Sequence, residues 1–441
     1  MIKKDLVVIG GGPAGLAAAV KARESGVKDI LMIERGSRLG GILNQCIHDG
    51  FGLELFKKAY TGPEYASKFI EKVESMKIEC LLDSTVSELK PDKTLTVISP
   101  KGLLEIKAKA VILTTGCRER TREMIKIPGS RPAGVYTAGC AQNLINLLGY
   151  MPGRKIVILG SGDVGLIMAR RLTLEGAKVL AVVEIMPYSN GLKRNIVQCL
   201  EDFEIPLYLS HTIVEIKGSK RVEAVVIAKV DEKFQSIKGS EKTFECDTLL
   251  LSVGLIPENE LAEKAGVEID TVTSGPTVNE FNETSVQGIY SAGNSLQVHD
   301  LVDWTCLEAE NAGLHAAEYI LRFPVSPLSG IRAIGTNGSQ SPVSSRRKIE
   351  DRKPKTRENL KTRPGNGVRQ VVPQYYSGKS DFSISLRVSS PCKNKNIVVS
   401  DGSKIVKKVF LRQLNPAEMI RLALTRKEVE NTRGLNVHVQ D

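Results

Sequence analysis

The sequence predicts an α/β fold in which two doubly wound dinucleotide-binding domains share the chain, the second inserted in the first, with a small β-domain at the C-terminal end. Three observations carry this expectation. Residues 5–34 run as apolar strand, glycine turn, helix and second strand, closed by an acid. The same order returns from Lys155, where Gly160, Gly162, Gly165 and Glu184 each stand 150 positions after Gly10, Gly12, Gly15 and Glu34. From Val368 onward short segments such as Phe382-Ser383-Ile384-Ser385-Leu386 alternate apolar and polar residues, as antiparallel strands with one face in a core do.

In the first unit Leu6 to Ile9 carry no polar interruption, which is how a strand buried on both faces of a parallel sheet reads. Gly10, Gly12 and Gly15 then hold G-x-G-x-x-G spacing, with Pro13 and Ala14 inside it, and Leu16 to Glu24 continue as an Ala-rich helix. One glycine allows the tight turn, one lets backbone approach a pyrophosphate and one lets helix and strand pack closely. The helix N-terminus offers free N–H groups and a positive dipole end to the phosphates. Val27 to Ile33 form the next strand, and Glu34, followed by Arg35, ends it nineteen positions after Gly15. A carboxylate there can accept both hydroxyls of an adenosine ribose. A turn that binds nothing explains a lone glycine motif, but not strand, turn, helix, strand and acid in order.

Further along, Arg38-Leu39-Gly40-Gly41 is a loop leading to Ile42-Leu43-Asn44-Gln45-Cys46-Ile47-His48. Residues 64–76 have helical periodicity, with strands expected near 78–82, 94–98 and 103–107. Val111 to Gly116 read as another buried strand, and the small residues at its end, Thr114, Thr115 and Gly116, let backbone approach a bound cofactor. The second unit places Ile156 to Leu159 before Gly160-Ser161-Gly162-Asp163-Val164-Gly165, then a helix over Leu166 to Leu174 and a strand over Val179 to Val183. Two such units with one internal spacing are not a coincidence. Strands near 205–209, 213–217, 222–230 and 243–246 complete this domain, and Thr248 to Gly254 close it. Gly288 to Asn294 read as a strand entering a turn at Gly293, and a helix follows from about Asp303 to Leu321, with Asp300 and Asp303 as its capping pair. The expected domains are therefore 1–116 with 253–321, 117–252 inserted between them, a Ser-, Pro- and Arg-rich linker over 322–364 that contains Arg346-Arg347-Lys348, and a β-domain over 365–441.

At 441 residues, 41% hydrophobic and 25% charged, the composition is that of a globular protein with room for two or three cores. No stretch reaches the roughly 18 apolar residues of a membrane span, and the apolar start after Lys3-Lys4 reads as a nucleotide-binding strand instead of a signal peptide, so a cytoplasmic location is expected. The net charge of +11 is uneven: residues 1–321 hold 37 Lys/Arg against 41 Asp/Glu, residues 322–364 hold 11 against 3, and residues 365–441 hold 13 against 6. The basic excess belongs to the tail, so the main body has no nucleic-acid signature. The eight cysteines stand at 46, 80, 117, 140, 199, 246, 306 and 392, never closer than 23 positions. That spacing excludes a local C-x-x-C redox pair and a clustered zinc or iron–sulfur ligand set, and no metal is expected.

Two nucleotide units with the second between parts of the first resemble the glutathione-reductase-like superfamily of pyridine nucleotide-disulfide oxidoreductases. The resemblance covers residues 1–321: first glycine turn, Glu34, Thr114-Thr115-Gly116, second glycine turn, Val253-Gly254 with Pro257, and Gly288-Ile289-Tyr290-Ser291-Ala292-Gly293. It implies two Rossmann-like dinucleotide-binding domains, the first for FAD and the second for NAD(P)H, with Gly41 and Gly254 also at the cofactors. The last motif usually ends in Asp, which binds the ribityl chain; here Asn294 stands there, and because an amide oxygen also accepts hydrogen bonds, FAD is expected with altered contacts. Thr115 to Arg120, Pro128-Gly129 and Ala133 to Gln142 are similar to the dinucleotide-binding subunits of sarcosine oxidase, dye-linked proline dehydrogenase, opine oxidase and hydrogen cyanide synthase. Gly40 to Gly52 and Glu184 to Gly191 resemble the flavoprotein encoded beside glycerol-3-phosphate dehydrogenase in clostridia and other anaerobes.

The resemblance implies an electron-transfer subunit that works with a substrate-oxidising flavoprotein, glycerol-3-phosphate dehydrogenase-like or amine-oxidising, and leaves oligomerisation open. The alternatives are an NADH oxidase or peroxidase-like enzyme, and a scaffold subunit in which the fold persists without turnover. Cys46 follows Leu43-Asn44 much as the flavin-facing cysteine does in disulfide reductases, with one residue missing and no partner cysteine; a redox thiol and a packing thiol both fit. His48 relays protons or caps its loop. His299, with Asp300 and Asp303, lies just past the flavin turn, where a helix dipole favours a reduced ring and carboxylates oppose it. Glu184 would repel the 2′-phosphate of NADPH, so NADH is the expected donor.

Overall fold

The computed structural model describes residues 1–322 and 360–441. Most of the expected linker, with Arg346-Arg347-Lys348, lies outside the described residues.

The first domain is built on a seven-stranded sheet. Strands Glu79–Leu81, Ile30–Ile33, Ile2–Ile9, Gly102–Leu113 and Ile289–Ser291 run parallel, and the hairpin Thr85–Leu89 with Thr94–Ser99 adds an antiparallel edge. Leu6, Val8, Met32 and Ile112 face one core cluster, while Val7, Ile9, Leu31, Ile33, Val111 and Leu113 face another. Alternate residues are thus buried on opposite faces, which accounts for the unbroken apolar runs. Helix Pro13–Glu24 packs against the long helix Val302–Arg322 so closely that a Cβ on Gly313 would stand 2.3 Å from the carbonyl oxygen of Ala18. The Ala-rich composition of the first helix is what permits this approach.

The second domain repeats the plan with a fully parallel sheet, in the order Leu207–Leu209, Lys178–Glu184, Lys155–Leu159, Thr248–Leu251 and Val135–Thr137. Helix Asp163–Leu174 follows its glycine turn, and a three-stranded antiparallel layer, His211–Lys217, Ala224–Lys229 and Lys242–Glu245, covers one side. Strands Cys117–Glu119 and Leu255–Pro257 pair antiparallel, so both crossings between the domains run side by side.

Three expectations change. The segments expected as separate strands at 103–107 and 111–116 are one continuous strand, Gly102–Leu113. Lys107 and Lys109 look like an interruption, but they point away from the core and pair with Asp92 and Asp5, both at 2.6 Å, while Ile106, Ala108 and Ala110 are buried. Asp300 and Asp303 do not cap the long helix: their Oδ2 atoms accept from the backbone N–H groups of Met419 and Glu54, at 2.9 and 2.8 Å. The β-domain begins earlier than residue 365, because Leu360–Pro364 is a strand paired with Leu435–Gln440 and Tyr375–Tyr376.

That domain is two packed sheets, one of five strands and one of three, closed over Ile384, Leu386, Ile397, Val399, Leu422 and Val437. It sits on the main body. Tyr375 N–H donates to the Val278 carbonyl at 3.2 Å, Ser377 N–H donates to Glu280 Oε1 at 2.8 Å, and the Arg421 guanidinium lies 4.9 Å over the Trp304 ring.

Candidate active site

One cleft of about 1990 Å³ runs between the two glycine turns, about twice the upper range of a small-molecule pocket, roughly 1,000 Å³. Its lining brings together nearly every residue singled out in the sequence. Gly10, Gly12, Pro13, Ala14, Glu34, Arg35, Gly41, Cys46, His48, Thr115, Gly116, Asn294 and His299 come from the first domain, and Gly160, Gly162, Asp163, Val164 and Glu184 from the second, with Gly254 at the crossing. Gly15, Gly165 and Gly293 are not part of the lining. They serve close packing: a Cβ on Gly15 would stand 1.8 Å from the Gly10 carbonyl oxygen, and one on Gly293 would stand 2.7 Å from the Ala14 Cβ.

The geometry of the first turn fits a dinucleotide. A Cβ on Gly12 would meet nothing nearer than the Gly41 Cα at 4.0 Å, and one on Gly116 would project into open space, so backbone is bare where phosphate and ring would approach. Gly10 holds φ +109° with the Thr114 carbonyl pressed against it, and the Thr114 hydroxyl donates to the Ile9 and Gly10 carbonyls at 2.9 and 3.1 Å. Glu34 is half-buried, and its carboxylate accepts from the N–H groups of Gly11 at 2.6 Å and Gly36 at 2.7 Å. Those bonds fix it at the strand end.

Asn294 lines the cleft just after strand Ile289–Ser291. Its Oδ1 accepts from the His299 N–H at 3.0 Å, and its Nδ2 approaches the Cys117 Sγ at 3.5 Å. The His299 side chain is 2% exposed; its Nε2 lies 3.4 Å from Glu308 Oε2, and its Nδ1 has no hydrogen-bond partner among the described residues. Glu308 also accepts from the Gly293 N–H at 2.8 Å and the Gln297 amide at 2.7 Å. Burial works against its charged form, but His299, Gln297 and the Gly293 N–H together hold its carboxyl below the usual range. No sequence signal marked Glu308, which lies mid-helix and meets His299 only through the fold.

Cys46 is half-buried in the cleft wall. Its thiol is pushed up to about 12 by burial, and its contacts are the Ile42 carbonyl at 3.4 Å and Gln142 Oε1 at 3.8 Å. All eight cysteines are free. His48 packs against Phe51 with ring centroids 5.0 Å apart and planes tilted by 47°; burial lowers its proton affinity, the charge of Asp49 opposes this, and those of Arg194 and Arg170 add to the lowering. Gln45, unremarked in the sequence, ties the domains together: its amide donates to the Gly139 carbonyl at 2.9 Å and to Gln142 Oε1 at 3.0 Å. Arg118 pairs with Glu258 at 3.4 Å and Glu260 at 2.6 Å.

In the second turn Glu184 is 4% exposed. One of its oxygens accepts from the Ser161 N–H and hydroxyl at 3.0 and 2.6 Å, the other from the Met186 N–H at 2.9 Å. Asp163, whose carboxyl is raised by burial, accepts from the Leu192 N–H at 2.8 Å and the Asn195 amide at 2.6 Å. Among the described residues no cluster of three His, Cys, Asp or Glu side chains is placed to hold a metal, and no helix is long and apolar enough to cross a membrane.

A flavoprotein with two dinucleotide-binding domains and an appended β-domain, exchanging electrons with a nicotinamide nucleotide, is the class this architecture defines. Residues 4–305 match the pyridine nucleotide-disulphide oxidoreductase family, and the chain belongs to it. The chain is 26% identical over 367 residues to an opine oxidase subunit of Agrobacterium tumefaciens, covering 78% of this chain and 69% of that protein. It is 26% identical over 314 residues to the hydrogen cyanide synthase protein HcnB of Pseudomonas protegens, covering 65% of each. The chain thus spans about two thirds of the length of these relatives. In fold it is similar to thioredoxin reductase of Lactococcus lactis, with a TM-score of 0.59 and 22% identity over 73% of this chain and all of that one. It is also similar to L-proline dehydrogenase of P. horikoshii, with a TM-score of 0.51 and 20% identity over 72% of this chain and 55% of that one. The protein is an FAD-dependent pyridine nucleotide oxidoreductase with FAD and NAD(P)H as its cofactors.

Proposed function

We propose that the chain is an electron-transfer subunit that exchanges electrons between a nicotinamide nucleotide and a partner flavoprotein oxidising glycerol 3-phosphate or an amine. The observation that carries this reading is the state of the thiols in the cleft. Cys46 is half-buried with its thiol's proton affinity raised, it has no disulfide partner, and every other cysteine is also free, so electrons leaving the site need an acceptor outside the chain. Two relatives, the opine oxidase and hydrogen cyanide synthase proteins, are by name subunits of larger enzymes, and the loop sequences Gly40 to Gly52 and Glu184 to Gly191 favour the glycerol 3-phosphate branch.

Bound FAD supplies two-electron chemistry at its ring. The chain's own residues do the rest. Gly10, Gly12, Pro13, Ala14 and the helix they open would hold the diphosphate, Glu34 would take the ribose with Arg35 beside it, Asn294 would contact the ribityl chain, and Gly41, Thr115 and Gly116 would leave backbone bare for the rest of the cofactor. Gly160, Gly162 and Val164 offer the second turn to NAD(P)H, with Glu184 behind it and Gly254 at the crossing. His299 is oriented through Nε2 by Glu308 beside the Gly293 turn, and His48 lines the same cleft. Cys46 fills the wall as a packing thiol.

The discriminating experiment is to mix the anaerobically NADH-reduced protein with oxygen or with an oxidised glycerol-3-phosphate dehydrogenase-like flavoprotein. Fast reoxidation by the flavoprotein and slow reoxidation by oxygen support the electron-transfer reading. Rapid oxygen consumption by the chain alone replaces it with an NADH oxidase, and an inert bound flavin replaces it with a scaffold role.

A further inference from the structure

We propose that the C-terminal β-domain completes the second nucleotide site by delivering Arg369 to the diphosphate of the nicotinamide nucleotide. This rests on reading the second unit as the NAD(P)H site.

The need for a cation there follows from the turn itself. Helix Asp163–Leu174 opens on an acid, Asp163, where helix Pro13–Glu24 has none in its first turn. Behind it lies Glu184, and neither carboxylate forms an ion pair among the described residues. A dinucleotide brings the negative charge of its diphosphate to the same spot. Two carboxylates offset much of the attraction of the helix N-terminus; Arg194, in the same cleft, acts on Asp163, and a second positive side chain free to face the diphosphate would restore the attraction.

Arg369 meets the requirement from another domain. It is exposed on strand Val368–Val372 and lines the same cleft as Gly162, Asp163, Glu184 and Asn190. It has no hydrogen bond or ion pair among the described residues, and its charge is felt at Tyr188, four positions after Glu184. The strand is irregular at this residue: Val368 pairs with Val388 and Gln370 with Arg387, leaving Arg369 as the extra residue of a β-bulge. Bulges re-aim a side chain where a regular ladder would not. The bulge is also held in position. Arg387 on the facing strand donates to the Val298 carbonyl at 3.2 Å, the Pro416 carbonyl at 3.1 Å and the Ala417 carbonyl, and it pairs with Asp300 at 3.7 Å. The side chain that docks the β-domain on the flavin loop therefore sits opposite the one aimed at the nucleotide.

The test is calorimetric titration of FAD-loaded, full-length protein with NAD⁺ and NADP⁺, neither of which reduces the flavin. Arg369→Ala is expected to weaken both nucleotides by about tenfold, the worth of one charge-assisted hydrogen bond, and Arg369→Lys to restore part of the loss. FAD content and thermal midpoint should not move, because the side chain holds no hydrogen bond or ion pair among the described residues. Unchanged affinity in Arg369→Ala overturns the proposal, and a loss confined to NADP⁺ overturns it in favour of a 2′-phosphate contact. Failure of the wild type to bind either nucleotide removes the NAD(P)H reading of the second unit, and the proposal with it.

Discussion

The two glycine turns are the same device set to different uses. In each, the acid that ends the second strand accepts from the residue after the first glycine and from the residue two positions beyond the acid: Gly11 and Gly36 for Glu34, Ser161 and Met186 for Glu184. Ser161 adds a hydroxyl that Gly11 cannot, and Glu184 is buried where Glu34 is half-open. The first helix starts on Pro13, whose ring removes a donor the helix does not use; the second starts on Asp163, which ties the 190–195 loop down. The first turn leaves its acid half-exposed with two backbone bonds, so lone pairs remain open to the cleft for a ribose. The second buries Glu184 under three bonds and ties Asp163 to Leu192 and Asn195, so a nucleotide at this turn, on the proposed reading, would need a grip elsewhere.

The largest expected contrast comes from the third glycines. Gly15→Ala places a Cβ 1.8 Å from the Gly10 carbonyl oxygen, whereas Gly165→Ala meets the Ser252 Cβ at 2.7 Å and the Gly160 carbonyl at 2.9 Å. The first should cost about 4 kcal/mol or more and abolish FAD binding, the second about 2 kcal/mol; urea unfolding compares them, and equal losses would erase the asymmetry. Next come the acids. Glu34→Gln should reduce FAD affinity roughly tenfold with little loss of stability, and Glu184→Gln should lose about 2 kcal/mol of stability while keeping FAD, because an amide nitrogen then faces a buried donor. Flavin content and thermal unfolding read the two effects separately, and an exchange of the two phenotypes would break the comparison.

A smaller effect is expected in donor choice. The Glu184 carboxylate disfavours a 2′-phosphate even while hydrogen-bonded, so kcat/KM should favour NADH over NADPH by roughly tenfold, and a preference for NADPH would show that the second turn reads its ribose differently. The smallest effect belongs to Cys46→Ser. With the thiol pushed up to about 12 from an ordinary value near 9, the group stays protonated between pH 6 and 9, and anaerobic reduction by NADH should stay within about twofold of wild type across that range. The raised value also means that the folded state holds this proton longer than the unfolded one does. Its contribution to stability is full below pH 9 and fades as pH rises toward 12, and that alkaline loss should be reduced in the serine variant.

Much of this was legible because it is local. The turns, the acids 150 residues apart and the buried strands are written in contiguous residues, and the cleft gathers nearly all the cofactor positions expected from them. Gly15, Gly165 and Gly293 stay outside it because each faces packed protein atoms; the motif's packing role accounts for the first two, while Gly293, outside that motif, carried no such signal. What stayed hidden depends on distant partners. Glu308 finds His299 only because the long helix folds back under the Gly293 turn, and Arg387 meets Asp300 across the whole β-domain boundary. The continuity of strand Gly102–Leu113 is masked in the sequence because alternating lysines on its open face look polar until Asp92 and Asp5 are seen opposite them.

The central claim, that one cleft holds FAD and receives electrons from NADH, is tested most directly by the visible spectrum of the FAD-reconstituted, desalted protein during anaerobic titration with NADH. Flavin bands that survive desalting and bleach with about one NADH per flavin are expected. A colourless protein, or flavin bands that NADH leaves unchanged, would contradict it.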